Sequence, residues 1–336
     1  MGCTMGLFDF VKKLFSGAGH DPMAEADPPA AVAVSPDRGA KASQTPKLTL
    51  ADLSARLGVP VEEITAFKPE YREFTIPKRS GGERKIQAPS DATKQFQRRI
   101  LYRLLGRLKC HPAAQGFQRG KSIVTNALPH TRSVVLIRMD IKDFFTSTSA
   151  RRVRDYFIRI GWDKQCADLL ATACTLQGGL PQGAPTSPRL SNLLNARLDA
   201  RLWALADKYG GAYTRYADDV TFSLPADDRG TTHAILRITK LAAADEGYKL
   251  HQDRKLQIRR SHERQLVTGL VVNYRTHSLD SNATPPPPVR LPRARRRWLR
   301  AVRHHLAAGK PATLTPRQLA GWDALEKMIQ TQAANL

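Results

Sequence analysis

The sequence predicts an α+β fold, and three observations support that prediction. Short runs rich in β-branched and aromatic residues, such as residues 134–141, have the composition of strands. Longer stretches with apolar residues at helical spacing, such as residues 191–209, lie between them. Strands and helices alternate without a strict βαβ repeat, which is typical of the α+β class. The chain has 336 residues, enough to bury the core of one large domain or of two to three lobes.

The charge of the chain predicts its kind of partner. It contains 53 Lys and Arg residues against 30 Asp and Glu residues, a formal net charge of +23. A folded chain this basic is typical of a protein that binds a polyanion, most simply nucleic acid. A proteome that favours Arg in general would also raise the charge, but it would not cluster Arg in one segment. The four cysteines have no C-x-x-C spacing, so we expect no structural zinc site.

The first 46 residues are predicted to stand apart from the folded body. Residues 5–16 carry apolar side chains at helical spacing, so we expect a short amphipathic helix that docks on the protein, a partner or a membrane surface. Residues 17–46 are rich in Ala, Pro, Asp, Gly and Ser, which predicts a disordered linker. The chain shows neither a secretory signal nor an apolar run of about 18 residues, so we expect a cytoplasmic protein without a membrane span.

Ordered structure is predicted to begin at Thr49, which caps a helix with Asp52 at the capping-box position; Gly58 ends that helix. The remaining elements follow in chain order: a hairpin of strands 74–78 and 84–88 around Gly81 and Gly82, a basic helix 91–109, a strand 134–141, helical stretches 149–175 and 191–209, a hairpin of strands 212–217 and 220–224, a helix 231–246, a strand 265–272, and a proline-rich connector 281–289.

Three aspartates form the strongest candidate for chemistry. Asp140 ends the apolar run 134–141, while Asp218 and Asp219 stand at the tip of the hairpin that follows 78 residues later. Adjacent residues on one strand point to opposite faces, but a tight turn lets both carboxylates approach one site. An Asp-Asp pair in a turn is by itself ordinary turn chemistry. Three carboxylates from two neighbouring strands can bind two Mg²⁺ ions for phosphoryl transfer.

The motifs around these aspartates resemble the palm motifs of reverse transcriptases. RMDIKDFF at residues 138–145, GLPQGAPTSP at 179–188 and YADD at 216–219 occur in that order, and the resemblance extends from about residue 50 to the end of the chain. Two shorter signatures resemble the retron branch of bacterial reverse transcriptases: NALPH at residues 126–130 matches its NAxxH element, and VTG at 267–269 matches its VTG element.

The resemblance implies a right-hand polymerase fold, in which fingers and thumb flank a palm built on a ferredoxin-like antiparallel sheet. It places N-terminal helices and fingers at residues 47–135 and the palm at 136–275, with an interleaved fingers segment. Residues 276–336 become a basic helical thumb, which contains seven arginines within residues 290–303.

The resemblance also implies residue roles at the active site. The metal ligands become Asp140, Asp218, Asp219 and the carbonyl of Ile141, with two Mg²⁺ or Mn²⁺ ions as cofactors. Phe145 takes the position of the steric gate that selects deoxynucleotides; a plain core position is the alternative. Gln182 would contact the incoming nucleotide. Lys255 matches a proposed general acid for pyrophosphate; an ordinary exposed lysine is the alternative, because His251 and Leu256 replace the Asn and Thr common there.

Further residues are implied to bind the substrate and the RNA. Lys78 and Arg84 on the first hairpin would grip the triphosphate, while Lys85 should point to the other face. Asn126 and His130 would make structural or RNA contacts. The C-terminal segment is expected to grip RNA phosphates and loops, through Arg293, Arg295, Arg296, Arg297, Trp298 and Arg300.

The activity that the resemblance implies is RNA-directed DNA synthesis. A retron enzyme copies its cognate structured noncoding RNA from a guanosine 2′-OH into msDNA, a branched RNA–DNA hybrid. It acts in antiphage defence, with a separate effector protein as partner. Two alternatives stay open at this point: a group II intron-type or stand-alone reverse transcriptase without msDNA, and a catalytically silent RNA-binding scaffold.

Overall fold

The computed structural model describes residues 47–78, 81–251, 255–273 and 288–333, all within one compact unit, Pro46–Leu336. The predicted amphipathic helix 5–16, the linker 17–46 and most of the proline-rich connector lie outside the described residues. Within these ranges, no helix is long and apolar enough to cross a membrane.

The first helices form as the sequence predicts. Helix α1 (Leu50–Leu57) starts where the Asp52 carboxylate accepts a hydrogen bond from the Thr49 backbone N–H at 2.7 Å. It ends at Gly58, whose φ of 61° lies in the left-handed region that glycine adopts without strain. Helix α2 (Val61–Ala66) follows.

The predicted fingers hairpin is present and longer than expected. Strands β1 (Tyr71–Pro77) and β2 (Glu83–Pro89) pair antiparallel. Helix α3 (Asp91–Arg99) begins at Ser90, whose side chain accepts from the Thr93 N–H, and continues into a π-helix, Ile100–Leu105. Helix α4 (Ile123–Ala127) and a 3₁₀ turn, Leu128–His130, then lead into the central sheet.

The central sheet has four strands, β3 (Val135–Asp140), β4 (Ala212–Tyr216), β5 (Asp219–Leu224) and β6 (Gln257–Arg260). Their spatial order is β4-β5-β3-β6, and every neighbouring pair is antiparallel. This is the strand order of a ferredoxin-like sheet, so the predicted palm topology is confirmed.

Helices connect these strands. Between β3 and β4 the chain forms α5 (Phe144–Ser147), α6 (Ala150–Arg159), α7 (Lys164–Cys174), α8 (Ser187–Leu194) and α9 (Ala196–Lys208). Helix α10 (Arg229–Asp245) connects β5 with β6. The helical stretches predicted at 149–175 and 191–209 are each two helices, because the chain turns between α6 and α7 and again at Asn195.

The two faces of the sheet have different surroundings. Val135, Ile137 and Met139 of β3 are buried in one hydrophobic cluster with residues of α9 and α10. Because side chains alternate along a strand, Leu136, Arg138 and Asp140 point to the opposite face. The sheet therefore packs one face on α9 and α10, and its other face carries the buried Leu136 together with Asp140, the candidate for chemistry.

The predicted strand 265–272 is wrong, because this stretch folds back on itself. It forms a small hairpin of β7 (Leu266–Val267) and β8 (Leu270–Val271), and Thr268 and Gly269 make the turn with φ values of 45° and 85°. The apolar run looked like one strand because both short strands are buried. A two-residue turn with positive φ at both positions is the kind that joins antiparallel strands.

The C-terminal helices are α11 (Arg293–Ala307) and α12 (Pro316–Ala333). They share a hydrophobic cluster with α4 and the β7–β8 hairpin, through residues such as Val124, Val267, Leu299 and Leu325. Helix α4 thus packs with the segment predicted as thumb, although the sequence grouped it with the fingers.

Candidate active site

The register of the sheet brings the three aspartates to one end. Asp140, the last residue of β3, stands directly opposite Asp219, the first residue of β5. Asp218 precedes Asp219 in the turn, and its carbonyl accepts a hydrogen bond from the Ile141 N–H at 2.9 Å. Residues far apart in sequence therefore meet where the central strands end, as the motif spacing predicted.

The electrostatics of this end show that carboxylates are crowded together. Burial, followed by the nearby Asp140 carboxylate, raises the pKa of Asp218 to about 6. Burial also raises the pKa of Asp219, against the opposing effect of the Arg138 guanidinium. Negative charge is thus costly here, and a divalent cation would offset that cost.

Two of the three carboxylates form ion pairs with basic side chains. Lys255 Nζ lies 2.7 Å from Asp140 Oδ1, and Arg138 Nη2 lies 2.6 Å from Asp219 Oδ2. His251 Nε2 is 3.4 Å from the same Asp140 oxygen, and the backbone N–H of His251 donates a hydrogen bond to the backbone carbonyl of Asp140 at 2.9 Å. The predicted general acid Lys255 is therefore placed at the site.

The prediction of a metal site is supported by the type of ligand atoms and not by side chains already arranged around a metal position. Over the described ranges, no group of three or more His, Cys, Asp or Glu side chains is arranged to hold a metal ion. The donors are nevertheless hard carboxylate oxygens, the ligands that Mg²⁺ prefers, and burial together with the neighbouring Asp140 carboxylate raises the pKa of Asp218. The residues fit a divalent ion that takes the place of the Arg138 and Lys255 contacts.

The turn of residues 216–219, which we call the YADD turn, is supported from several directions. Ala217 has a φ of 58°, a strained value for a residue with a Cβ. The backbone of Gly116 lies against it so closely that a Cβ at Gly116 would be 2.8 Å from the Ala217 nitrogen. The Gln115 N–H donates to the Arg215 carbonyl, and Arg215 Nη1 donates to the Ala217 carbonyl at 3.1 Å.

The loop that contains Gln182 connects the palm with the fingers hairpin. The backbone carbonyl of Gln182 accepts a hydrogen bond from the backbone N–H of Gln87 in β2 at 2.9 Å. A Cβ at Gly183 would be 2.5 Å from the Gln87 carbonyl oxygen, which explains why glycine occupies that position. The two backbones therefore approach each other closely, and this contact fixes the loop to the strand that carries Arg84.

Phe145 is half-buried between two hydrophobic clusters. Its ring centroid lies 5.4 Å from that of Phe144 and 6.0 Å from that of Phe117. The ring is thus packed along part of its surface and not enclosed. This arrangement suits a rigid gate, whose function needs a fixed position, and the gate role stays a prediction.

The fingers hairpin presents its cations as predicted. Arg84 pairs with Ile76 across the hairpin, and Lys78 lies two residues after Ile76, so both cations project from one face. Lys85 projects from the other face, where its Nζ lies 2.7 Å from Glu73 Oε2.

The RNA contacts predicted for Asn126 and His130 need correction. Both residues are buried, and His130 is fully enclosed. Its ring nitrogens lie 2.8 Å from Ser223 Oγ and 2.7 Å from Thr214 Oγ1, and burial lowers its pKa to about 3. Asn126 Nδ2 donates to Thr268 Oγ1 at 3.4 Å. The NAxxH and VTG elements therefore contact each other and the sheet inside the protein.

The basic helix α11 divides its arginines between solvent and the fold. Arg295 stacks on two tryptophans, with its guanidinium carbon 4.8 Å from the Trp298 ring centre and 5.0 Å from that of Trp322. Arg303 forms ion pairs with Asp323 and Glu326 of α12, so it joins the two helices. Of the predicted RNA contacts, Arg296 and Trp298 are half-buried, while four are exposed: Arg293, Arg295, Arg297 and Arg300.

Several residues of this site were not predicted from the sequence. Arg138 is one of them, although it stands two residues before Asp140 and therefore on the same face of β3. Gly116 carries no motif signal at all. Arg215 and its partner Asp199 were not predicted either, and the available signal was a charged residue, Arg215, inside a short strand of otherwise uncharged residues.

A ferredoxin-like sheet with three aspartates at one end, flanked by a cationic hairpin and basic helices, defines the palm of a nucleic-acid polymerase. A sequence profile described as "Reverse transcriptase (RNA-dependent DNA polymerase)" matches residues 76–271. Together with the relatives that follow, this match shows that the chain belongs to the reverse transcriptase family, the RNA-dependent DNA polymerases, and within it to the bacterial retron branch.

Two curated relatives come from Myxococcus xanthus. The retron Mx162 reverse transcriptase is 39% identical over 268 residues, which cover 72% of this chain and 53% of that protein. The retron Mx65 reverse transcriptase is 36% identical over 312 residues, which cover 84% of this chain and 69% of that protein. This chain thus spans about half the length of the first relative. A solved structure of apo telomerase from Candida tropicalis is 14% identical with a TM-score of 0.45, over 60% of this chain and 53% of that one.

Proposed function

We propose that this protein is an active RNA-directed DNA polymerase that copies a cognate structured noncoding RNA into msDNA, a branched RNA–DNA hybrid, from a guanosine 2′-OH. The observation that carries the proposal is the register of Asp140 against Asp219, with Asp218 in the adjoining turn. Membership of the retron branch supports this choice of template and product. Both retron signatures, NAxxH and VTG, are present, and they contact each other.

The reacting end of the site would hold two Mg²⁺ or Mn²⁺ ions on Asp140, Asp218 and Asp219, with the Ile141 carbonyl as a further ligand. When bound, such ions lower the pKa of the attacking hydroxyl and neutralise the charge of the leaving pyrophosphate. Lys255, whose Nζ pairs with Asp140, would donate a proton to the leaving pyrophosphate.

The incoming deoxynucleotide would lie between the palm and the fingers hairpin. Lys78 and Arg84 project from one face of that hairpin and would bind the triphosphate through charge-assisted hydrogen bonds. Gln182, held to the hairpin through the Gln87 N–H, would contact the base pair. Phe145 would exclude a ribose 2′-OH by its bulk.

The RNA would bind through the exposed arginines of α11. Arg293, Arg297 and Arg300 leave their guanidinium groups in solvent, where they can bind phosphates, while Arg295 and the two tryptophans offer flat surfaces for unpaired bases. The partners we propose are therefore the noncoding RNA, the msDNA product and deoxynucleotides.

The direct test is to express the chain together with its flanking genomic DNA and to sequence the nucleic acid that copurifies. We expect one small DNA joined to one RNA, and a 2′,5′-debranching enzyme should release the DNA from the RNA. DNA without a branch would favour a group II intron-type or stand-alone reverse transcriptase. RNA without any DNA, together with no synthesis on a primed template, would favour a silent RNA-binding scaffold.

The family also suggests a biological setting, which we propose on that ground alone. The enzyme would act in the cytoplasm, where its RNA and deoxynucleotides are made, and would support antiphage defence together with a separate effector protein. Phage plating on cells that carry the intact locus or the same locus with Asp218→Asn tests this role. Equal plating on both would contradict it.

A further inference from the structure

We infer that the buried ion pair between Arg215 and Asp199 is a positioning device for the YADD turn, so that it sets the placement of Asp218 and Asp219 for catalysis. The inference rests on the proposed polymerase function and adds two residues to it, one on β4 and one on α9. Neither residue would touch the substrate, and both would act through the turn.

The pair is enclosed and saturated with hydrogen bonds. Both side chains are 0% exposed. Arg215 Nε and Nη2 donate to the two Asp199 oxygens at 2.8 and 2.7 Å, and the Tyr213 hydroxyl donates to Asp199 Oδ1 at 2.8 Å. Burial opposes the charge of Arg215, but the Asp199 carboxylate outweighs burial and raises the pKa of the guanidinium.

Stability alone is a poor reason for such a pair. Two charges lose their hydration when they are buried, and apolar side chains of similar volume usually stabilise a core at least as well. A buried pair is better explained by the geometry that it imposes. The remaining contacts of Arg215 show which geometry this is.

The guanidinium binds the turn directly. Its third nitrogen, Nη1, donates to the Ala217 carbonyl at 3.1 Å. Ala217 is the turn residue with a φ of 58°, a conformation that a residue with a Cβ adopts only when its surroundings hold it. Asp199 fixes the guanidinium, the guanidinium fixes the Ala217 carbonyl, and the peptide that follows this carbonyl leads into Asp218.

The same guanidinium also lies over the ring of Phe144, which is next to the proposed gate residue Phe145. Its carbon lies 5.6 Å from the centre of the Phe144 ring, and that ring lies 5.4 Å from Phe145. The backbone of Arg215 is held independently, because its N–H donates to the Ala113 carbonyl and its carbonyl accepts from the Gln115 N–H, both at 2.8 Å. Loss of the side chain should therefore leave β4 in place and release the turn.

The chain offers a matched control in another largely buried pair. Arg152 Nη2 lies 2.8 Å from Glu246 Oε2, and Arg152 also donates to the Leu194 carbonyl and to Asn195 Oδ1. This pair ties α6 to the loop after α10 and to the end of α8. Removing it should cost packing without altering the YADD turn.

The test replaces each pair by apolar residues in the full chain. The first variant combines Arg215→Met and Asp199→Leu with Tyr213→Phe, which avoids a buried hydroxyl without a partner. The control combines Arg152→Met with Glu246→Leu. Three quantities are measured for each: the melting temperature, kcat and KM for dTTP on a primed poly(rA) template, and Mn²⁺ affinity by calorimetry without nucleotide.

We expect the first variant to melt within a few degrees of the wild type, to lose kcat about 100-fold, and to bind Mn²⁺ about tenfold more weakly, because a misplaced catalytic group costs about that much. The control should keep kcat and Mn²⁺ affinity within about twofold. Wild-type kcat and Mn²⁺ affinity in the first variant, or equal losses in both variants, would overturn the inference.

If the first variant does not fold, Arg215→Lys takes its place, because lysine keeps the charge but cannot bind Asp199 with two nitrogens and Ala217 with a third. The same losses are expected and the same results would overturn the inference. A wild type that binds Mn²⁺ but makes no DNA would contradict the proposed function, while the Mn²⁺ comparison would still test the positioning role. A wild type that does neither would overturn both.

Discussion

The two hairpins that we propose lie on either side of the incoming nucleotide are built in opposite ways. The β4–β5 hairpin lies inside the central sheet, and its two-residue turn is contacted by Gly116, by the Arg215 side chain and by the Ile141 N–H. The β1–β2 hairpin forms a sheet of its own, most of β1 is exposed, and a Cβ added at Gly81 meets no heavy atom within 4 Å among the described residues.

The difference teaches which tasks need a fixed backbone. Carboxylates that share metal ions must be held to within a fraction of an ångström, because small displacements lower the rate steeply. Cations that bind a triphosphate gain most of their energy from charge, which tolerates movement and lets a substrate enter. Changes to the β4–β5 hairpin should therefore act on kcat, and changes to the β1–β2 hairpin on KM.

Among the changes that leave the catalytic side chains in place, the largest effect is expected from Gly116→Ala. The new Cβ would be 2.8 Å from the Ala217 nitrogen and 3.4 Å from the Tyr216 carbonyl carbon, so the YADD turn has to shift. We expect kcat to fall about 100-fold with little change in KM. Steady-state kinetics measure this, with Gly321→Ala on α12 as control, since an added Cβ there meets no heavy atom within 4 Å in the part of the chain that the structure describes. Equal kcat in the two variants would show that the turn does not need its support.

The next effect concerns the selection of deoxynucleotides over ribonucleotides, which we assign to Phe145. Phe145→Ala should admit ribonucleotides and lower the preference for dTTP over UTP by about 10- to 100-fold, in the range that a lost steric contact allows. Single-nucleotide extension with each substrate measures the ratio of kcat/KM values. A lower melting temperature with an unchanged ratio would identify Phe145 as a core residue.

A smaller effect is expected on the exposed hairpin. Arg84→Ala should raise KM for the deoxynucleotide about tenfold, because one charge-assisted contact is lost, and should leave kcat within about twofold. Lys85→Ala is the matched control, since Lys85 projects from the other face and pairs with Glu73. A similar rise in KM in both variants would mean that the charge of the hairpin matters and the face does not.

The smallest effect on catalysis is expected at the far end of the β4–β5 hairpin, where His130 bonds to Thr214 and Ser223 and where the change is one of stability. Burial lowers the pKa of His130 to about 3 from 6.5, so the unfolded chain binds the extra proton between these values. The stability that neutral His130 confers above pH 6.5 is therefore lost as the pH falls, by about 1.4 kcal/mol per unit.

Urea unfolding at about pH 7 and about pH 5 measures this loss, with His130→Asn as the variant that lacks the titrating group. The difference in unfolding free energy between the two proteins should shrink at the lower pH. A constant difference would show that His130 is protonated in the folded state or accessible to solvent.

The sequence predicted the parts of the site that are written as local motifs. Asp140 at a strand end and Asp218 and Asp219 in a hairpin turn follow from strand composition and turn chemistry, and the family motifs fixed their partnership. The opposite faces of Arg84 and Lys85 follow from strand alternation alone.

The rest depends on packing between distant segments. His130 bonds to side chains that lie 84 and 93 positions away in the sequence, so its motif left structural and RNA contacts both open, whereas the fold uses it as a buried connector. The support of Ala217 by Gly116 and Arg215 arises only when a loop and α9 pack against β4. The turn at Thr268 was hidden because a positive φ at threonine has no sequence signal.

The central claim is that the aspartates of the YADD turn carry RNA-templated DNA synthesis. DNA synthesis and RNA binding should be measured side by side for the wild type, for Asp218→Asn and for Asp207→Asn, which removes the same charge from the exposed end of α9. We predict that Asp218→Asn loses synthesis by about a thousandfold or more while RNA affinity is kept, and that Asp207→Asn resembles the wild type. Wild-type synthesis by Asp218→Asn would contradict the account.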